Sequence, residues 1–155
     1  MYLDESNTEF WNKFEDKRFR VIRIKLKLYA RLDPGESIEK YLTRAVRQEG
    51  HRHFINLELD KPEHMLLDLI KTLCHGKDTN VLKSFGNKSK IVLLIDDYDY
   101  LLNKYEKTPH FEEVRQRLEN FFQVLEKANK YLEFVLISGE SESSRLAGRV
   151  IYTDA

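Results

Sequence analysis

Three carboxylates, Asp96, Asp97 and Asp99, follow directly on five consecutive apolar residues, Ile91-Val-Leu-Leu-Ile95. An unbroken aliphatic run of this kind reads as a strand buried on both faces of a parallel sheet. Open α/β sheets bind their ligands where such strands end. Acids at that point suit Mg²⁺ beside phosphate groups, so the run reads as a Walker B segment. Successive side chains of a strand point to opposite faces, which divides the two neighbouring acids between two roles. Asp96 is placed as the metal-side carboxylate that orders the Mg²⁺ shell, and Asp97 as the acid that orients an attacking water. The plainer alternative has Asp96 capping the following turn, with Asp97 and Asp99 as solvated loop acids. The chain contains no G-x-x-x-x-G-K-[ST], the loop whose amides and lysine cradle phosphates. Gly76-Lys77 follows a helical pattern and is succeeded by Asp78, and Gly86-Asn-Lys88-Ser89 leads into a strand rather than a helix.

The elements that must position these acids are legible from hydrophobic period. Residues 6–17 read as a helix with Phe10, Trp11 and Phe14 on one stripe. Ile22, Ile24, Leu26 and Leu28 alternate with Arg23, Lys25 and Lys27, the pattern of a strand over residues 20–29 with one wet face. Its basic face reads as gatekeeping charge near a sheet edge rather than as a phosphate-binding strip. Ser37 caps a helix carrying Ile38, Leu42, Ala45 and Val46. Residues 54–59 are either a short strand or an extended connection. A helix from Pro62 places Leu66, Leu67, Ile70, Leu73 and Cys74 on one stripe, with Gly76 placed to end it. Residues 77–89 are polar and loop-like. A polar tether over residues 103–109 separates the 91–97 strand from a helix that Thr108-Pro109 opens, with Phe111, Val114, Leu118, Phe121, Phe122 and Leu125 at helical spacing. Residues 132–138 form another buried strand, followed by a Ser/Glu-rich loop, a short helix near 144–146 and an extended tail at 150–153. This order predicts an α/β fold, a three-layer sandwich around a short, mainly parallel sheet, in one domain spanning residues 1–155.

Bulk properties exclude several function classes. Lys+Arg and Asp+Glu both number 26, so the net basic footprint of a dedicated nucleic-acid binder is missing. No apolar run approaches the roughly 20 residues that span a bilayer. The start, Met-Tyr-Leu-Asp-Glu-Ser, has no signal-peptide pattern. Cys74 is the one cysteine, which rules out an internal disulfide and fits a reducing compartment, cytoplasmic or nuclear. That cysteine sits on an apolar stripe and reads as a small buried hydrophobe rather than a thiol activated by His75. His51 and His53 could place two imidazoles on one side of an extended segment, but with no third ligand nearby they read as a surface pair. Tyr98 and Tyr100 could stack on a base, although packing on the end of the sheet is the favoured reading.

Residues 91–102, Ile-Val-Leu-Leu-Ile-Asp-Asp-Tyr-Asp-Tyr-Leu-Leu, resemble the Leu-Ile-Asp-Glu-Tyr-Asp segment of the AAA-ATPase-like family. These are predicted P-loop ATPases often joined to PD-(D/E)xK nuclease-type domains. Phe134-Val-Leu-Ile-Ser138-Gly139 is similar to the family's apolar strand ending in Thr-Gly, the sensor position after Walker B. The resemblance implies a P-loop fold that binds ATP and Mg²⁺, with Asp96 on the metal side, Asp97 in the water-orienting position and Ser138 as sensor. Asp97 replaces the family's Glu with a side chain one methylene shorter, and Ser138 keeps the hydroxyl of the family's Thr without its methyl. The phosphate loop would lie before the part represented here, so the resemblance implies an incomplete core, truncated at its N-terminal side, with little or no ATP hydrolysis alone.

In such ATPases the sensor strand lies between the Walker B strand and the phosphate-loop strand, so residues 132–137 are expected to present an apolar edge. That edge is expected to pair with the tail at 150–153, with the N-terminal segment, or with a protein partner or second copy. A non-catalytic interaction module working through this edge is therefore the competing reading. Two further comparisons fail on single residues. A response-regulator receiver needs an acceptor Asp where Ser138-Gly139 stands, and a PD-(D/E)xK nuclease needs a lysine that Glu133-Phe134-Val135 lacks.

Overall fold

The computed structural model describes residues 20–27, 37–75 and 90–139. The helix expected at 6–17, the loop at 77–89, the short helix near 144–146 and the tail at 150–153 lie outside these residues. So does the pairing expected for the tail. Three strands, β1 (Arg20–Lys25), β2 (Ile91–Asp96) and β3 (Leu132–Ile137), form a parallel sheet in the order β1-β2-β3. The α/β class read from the sequence is the class observed.

β2 is central, and Ile91, Val92, Leu93, Leu94 and Ile95 are all buried. Ile91, Leu93 and Ile95 share a core with Ile22, Ile24 and Leu26 of β1, while Val92 and Leu94 are buried outside that cluster. Burial of alternate residues in two directions is what the unbroken aliphatic run requires. In β3 the register slips by one residue between Ile91 and Val92, which oppose Leu132 and Phe134 and leave Glu133 as the extra residue of a bulge. Lys90 pairs with that Glu133 at 3.7 Å.

Two helices follow β1, namely α1 (Ile38–Arg52) and α2 (Pro62–His75). Ser37 caps α1, its side chain accepting the Lys40 N–H at 3.2 Å. Both helices start at the carboxyl end of the sheet. The Tyr41 hydroxyl donates to the Leu26 carbonyl near the end of β1, and the Arg20 guanidinium donates to the Leu73 carbonyl in the last turn of α2. Arg117 ties the two first turns together, at 3.5 Å from Glu39 and 2.9 Å from Glu63. The link from His53 to Lys61 therefore runs back along α1 as an extended connection, settling the alternative left open at 54–59. It crosses α1 at Gly50, where a Cβ would meet Leu57 Cδ1 at 2.7 Å and the Ile55 carbonyl at 3.0 Å. His51 and His53 consequently sit at a helix end, not on an extended segment. His53 Nε2 lies 3.2 Å from Glu49, and His51 is exposed.

After β2 the chain departs from the expected tether. Residues 100–105 form a short helix, α3 (Tyr100–Tyr105), because Leu101 and Leu102 are buried anchors that the polar stretch after them obscured. Thr108 does not open the next helix. Its hydroxyl donates to the Tyr105 carbonyl at 2.9 Å, and α4 (Phe111–Phe122) begins three residues later. The single helical stripe read through Leu125 is broken at Gln123, beyond which α5 (Val124–Ala128) buries Val124, Leu125 and Ala128. A 3₁₀ turn (Asn129–Tyr131) then delivers the chain to β3. Cys74 is buried, as its stripe required.

Candidate functional site

At the carboxyl end of the sheet, β2 ends with Asp96 and β3 with Ile137, so that Asp96 and Ser138 become neighbours across 42 residues of sequence. The parallel ladder brings them level, since Ile95 opposes Ile137. The Ser138 hydroxyl donates to Asp96 Oδ1 at 2.5 Å, and the Asp97 N–H donates to the same oxygen at 2.9 Å. The Ser138 N–H donates to the Ile95 carbonyl at 2.9 Å, and the Tyr98 N–H to the Ser138 carbonyl at 3.1 Å. On the other flank, the Leu26 N–H donates to the Asp96 carbonyl at 3.0 Å. Asp96 is thus held to β1 by its own carbonyl and to the end of β3 through its neighbours Ile95 and Tyr98, and one of its carboxylate oxygens carries two donors.

The second oxygen, Oδ2, accepts no hydrogen bond among the described residues. A half-buried carboxylate with one oxygen fixed and the other uncommitted suits Mg²⁺, which is held through one or two carboxylates and keeps several waters. Asp96 is the residue that would hold it. Among the described residues, no three His, Cys, Asp or Glu side chains gather into a ligand set.

Asp97 takes a different direction from Asp96, though not through strand alternation. The strand stops at Asp96, and Asp97 adopts a left-handed conformation with φ 54°. Asp is among the residues that tolerate this region. Asp97 lines an open depression of about 350 Å³ together with Lys27, Asp99, Tyr100, Asn103 and Lys104. The structure therefore brings Asp96 and Ser138 together and sends Asp97 into a separate depression between the end of β1 and α3. Two lysines and two aspartates share its wall, so its charge is balanced.

Asp99 is the residue that sequence reasoning missed. It is 1% exposed, not a solvated loop acid, and it packs against Gly139. A Cβ on Gly139 would lie 2.6 Å from both Asp99 Oδ1 and Tyr98 Cε1. The available signal was the glycine following Ser138, which marks a close approach of backbone to a neighbour. Tyr98 is buried and meets the Phe122 ring edge-on at 6.3 Å, so it packs on the sheet's end as favoured.

Among the described residues, no helix is long and apolar enough to cross a membrane. Neither the curated proteins nor the solved structures provide a match to the chain. The family model described as "Predicted AAA-ATPase" matches residues 1–145. With residues 1–145 matched, and with the aliphatic strand that ends at Asp96 lying beside the strand that leads into Ser138-Gly139 in a parallel sheet, this chain belongs to the AAA-ATPase-like family.

Proposed function

We propose that this domain is an incomplete nucleotide site, in which Asp96 faces the Mg²⁺ of a bound nucleotide and Ser138 is the sensor that keeps it aligned. The observation that carries this reading is the 2.5 Å bond from the Ser138 hydroxyl to Asp96 Oδ1, which leaves Oδ2 uncommitted among the described residues. Bound Mg²⁺ would neutralise charge on the β- and γ-phosphates. Asp97, shorter than a glutamate and turned by its left-handed backbone, is a weak candidate for orienting water. Phosphoryl transfer rests largely on the amides and lysine of a phosphate loop, and this sequence contains none. Little or no hydrolysis by this chain alone is the consequence.

Thermal unfolding in Mg²⁺ and ATP tests the reading. A ligand at 100 times its dissociation constant stabilises a fold by about 2.7 kcal/mol, a shift of several degrees. The reading expects a shift that disappears in Asp96→Ala with the fold intact. No shift at millimolar ATP, in wild type and variant alike, would sink it.

A second reading rests on the sheet edge. Among the described residues β3 pairs with β2 alone, and Phe134, Leu136 and Ile137 are only partly buried. Such an edge is suited to strand addition by a protein partner or a second copy. Concentration-dependent mass in light scattering, abolished by Leu136→Lys, would favour this interaction module over the nucleotide site.

A further inference from the structure

We propose that Asp99 and Gly139 are positioning residues for Ser138, setting the direction in which the chain leaves β3 and so holding the serine hydroxyl on Asp96. The inference rests on reading Asp96 as the ligand-facing acid, but its geometry stands independently. Backbone bonds from Ser138 N–H to Ile95 and from Tyr98 N–H to the Ser138 carbonyl fix the serine's place in the ladder. They do not fix the exit of the chain one residue later. That exit is walled by Asp99 and Tyr98, and a Cβ on Gly139 would stand 2.8 Å from Asp99 Cγ as well as 2.6 Å from Oδ1.

The wall is stiff. Asp99 is 1% and Tyr98 6% exposed, the Tyr98 ring is backed by Phe122, and the Asp99 carbonyl accepts the Asn103 N–H at 2.8 Å. Neither side chain is the free end of a flexible group that could swing aside. A side chain at position 139 must therefore move the 138–139 backbone instead. A hydroxyl–carboxylate bond of 2.5 Å weakens once its atoms part beyond about 3.0 Å, so a small displacement suffices to release Asp96. The two short segments that resemble the family then form one interlocking unit, Asp96 with Ser138 and Asp99 with Gly139.

The test is the carboxyl ¹³C resonance of Asp96, followed by NMR in the full chain at one neutral pH. Ser138→Ala should move it, and Ser138→Thr, which keeps the hydroxyl, should restore at least half of that displacement. Gly139→Ala and Asp99→Ala should each move the resonance in the direction of Ser138→Ala by at least half as much. Adding Gly139→Ala to Ser138→Ala should bring no further movement. An Asp96 signal unchanged in Gly139→Ala and Asp99→Ala overturns the proposal, as does one unchanged in Ser138→Ala. Should Gly139→Ala fail to fold, judged by loss of the Leu93 methyl dispersion, Asp99→Ala decides alone. The Mg²⁺–ATP thermal shift is read separately: if it is missing while the ¹³C coupling is present, the nucleotide reading fails and the positioning role stands.

Discussion

The Glu49 carboxylate accepts the backbone N–H of Arg23 at 2.7 Å, so that a side chain from α1 occupies the place of a neighbouring strand beside β1. Glu49 is 2% exposed, Arg52 pairs with it at 3.2 Å, and His53 Nε2 lies 3.2 Å from its other oxygen. Among the described residues β1 lies at one border of the sheet, and this inward-facing acid closes part of it.

Glu49→Ala leaves the Arg23 N–H without this acceptor in a part-buried setting, which costs about 1 kcal/mol, the lower end for an unmet donor. Glu49→Gln keeps an acceptor oxygen and loses only the ion pair with Arg52, which is largely exposed, and should cost under about 1 kcal/mol. Urea midpoints of the two variants check this. An alanine variant as stable as wild type would remove the edge-closing role.

Phe54 occupies the position after the C-cap of α1 with φ 58°, where glycine is the usual residue. Its N–H donates to the His51 carbonyl at 3.0 Å and the Ile55 N–H to the Gly50 carbonyl at 2.9 Å, the two bonds of a Schellman motif. The side chain is 83% exposed and gains little by burial. Phe54→Gly should therefore stabilise the fold by about 1 kcal/mol, because the left-handed strain outweighs the entropy that glycine adds to the unfolded chain. Denaturant unfolding decides the sign.

Gly50→Ala sets two effects against each other. Alanine gains about 0.8–1.0 kcal/mol in helix propensity. Its Cβ, however, would meet Leu57 Cδ1 at 2.7 Å and the Ile55 carbonyl at 3.0 Å, and overpacking of this kind costs about 1–3 kcal/mol. Leu57 is 2% exposed and has nowhere to retreat. Net destabilisation is expected, and an unchanged or raised melting temperature would show that the link after α1 gives way freely.

Glu63 carries a pH dependence. Burial raises the pKa of its carboxyl, but the hydrogen bond and charge of Arg117, with smaller help from its own backbone and His64, hold it below the ordinary value overall. A carboxyl depressed on folding contributes stability that is present above its unfolded pKa and lost as pH falls through the folded one. Because the pair is partly solvated, the contribution stays under about 1 kcal/mol. Wild type should exceed Glu63→Gln in urea midpoint near about pH 7, and the gap should close as pH falls below the usual glutamate value of about 4.3. A gap that persisted or widened in acid would contradict the Arg117 pairing.

Much of the framework was legible from local pattern. Alternation in residues 22–26 and the aliphatic run at 91–95 identified strands, because a period of two and a period of 3.6 leave different traces in a short window. The breaks after β2 were less legible. Leu101 and Leu102 stand among polar residues, and Gln123 lies within a stripe that continues smoothly past it, so their structure depends on what lies beneath them.

What the sequence determined by itself is the three strands, the two helices that follow β1 and the carboxylates at the end of β2, since each follows from residues within one turn or one strand of each other. It also marked Ser138-Gly139 as the end of β3. Only the tertiary structure joined Ser138 to Asp96 and Gly139 to Asp99, turned Asp97 away from its neighbour, and set Glu49 against Arg23. Those contacts depend on the register of parallel strands far apart in sequence and on the space left by neighbouring side chains. No local period encodes either quantity, because both are fixed when the sheet and its helices pack together.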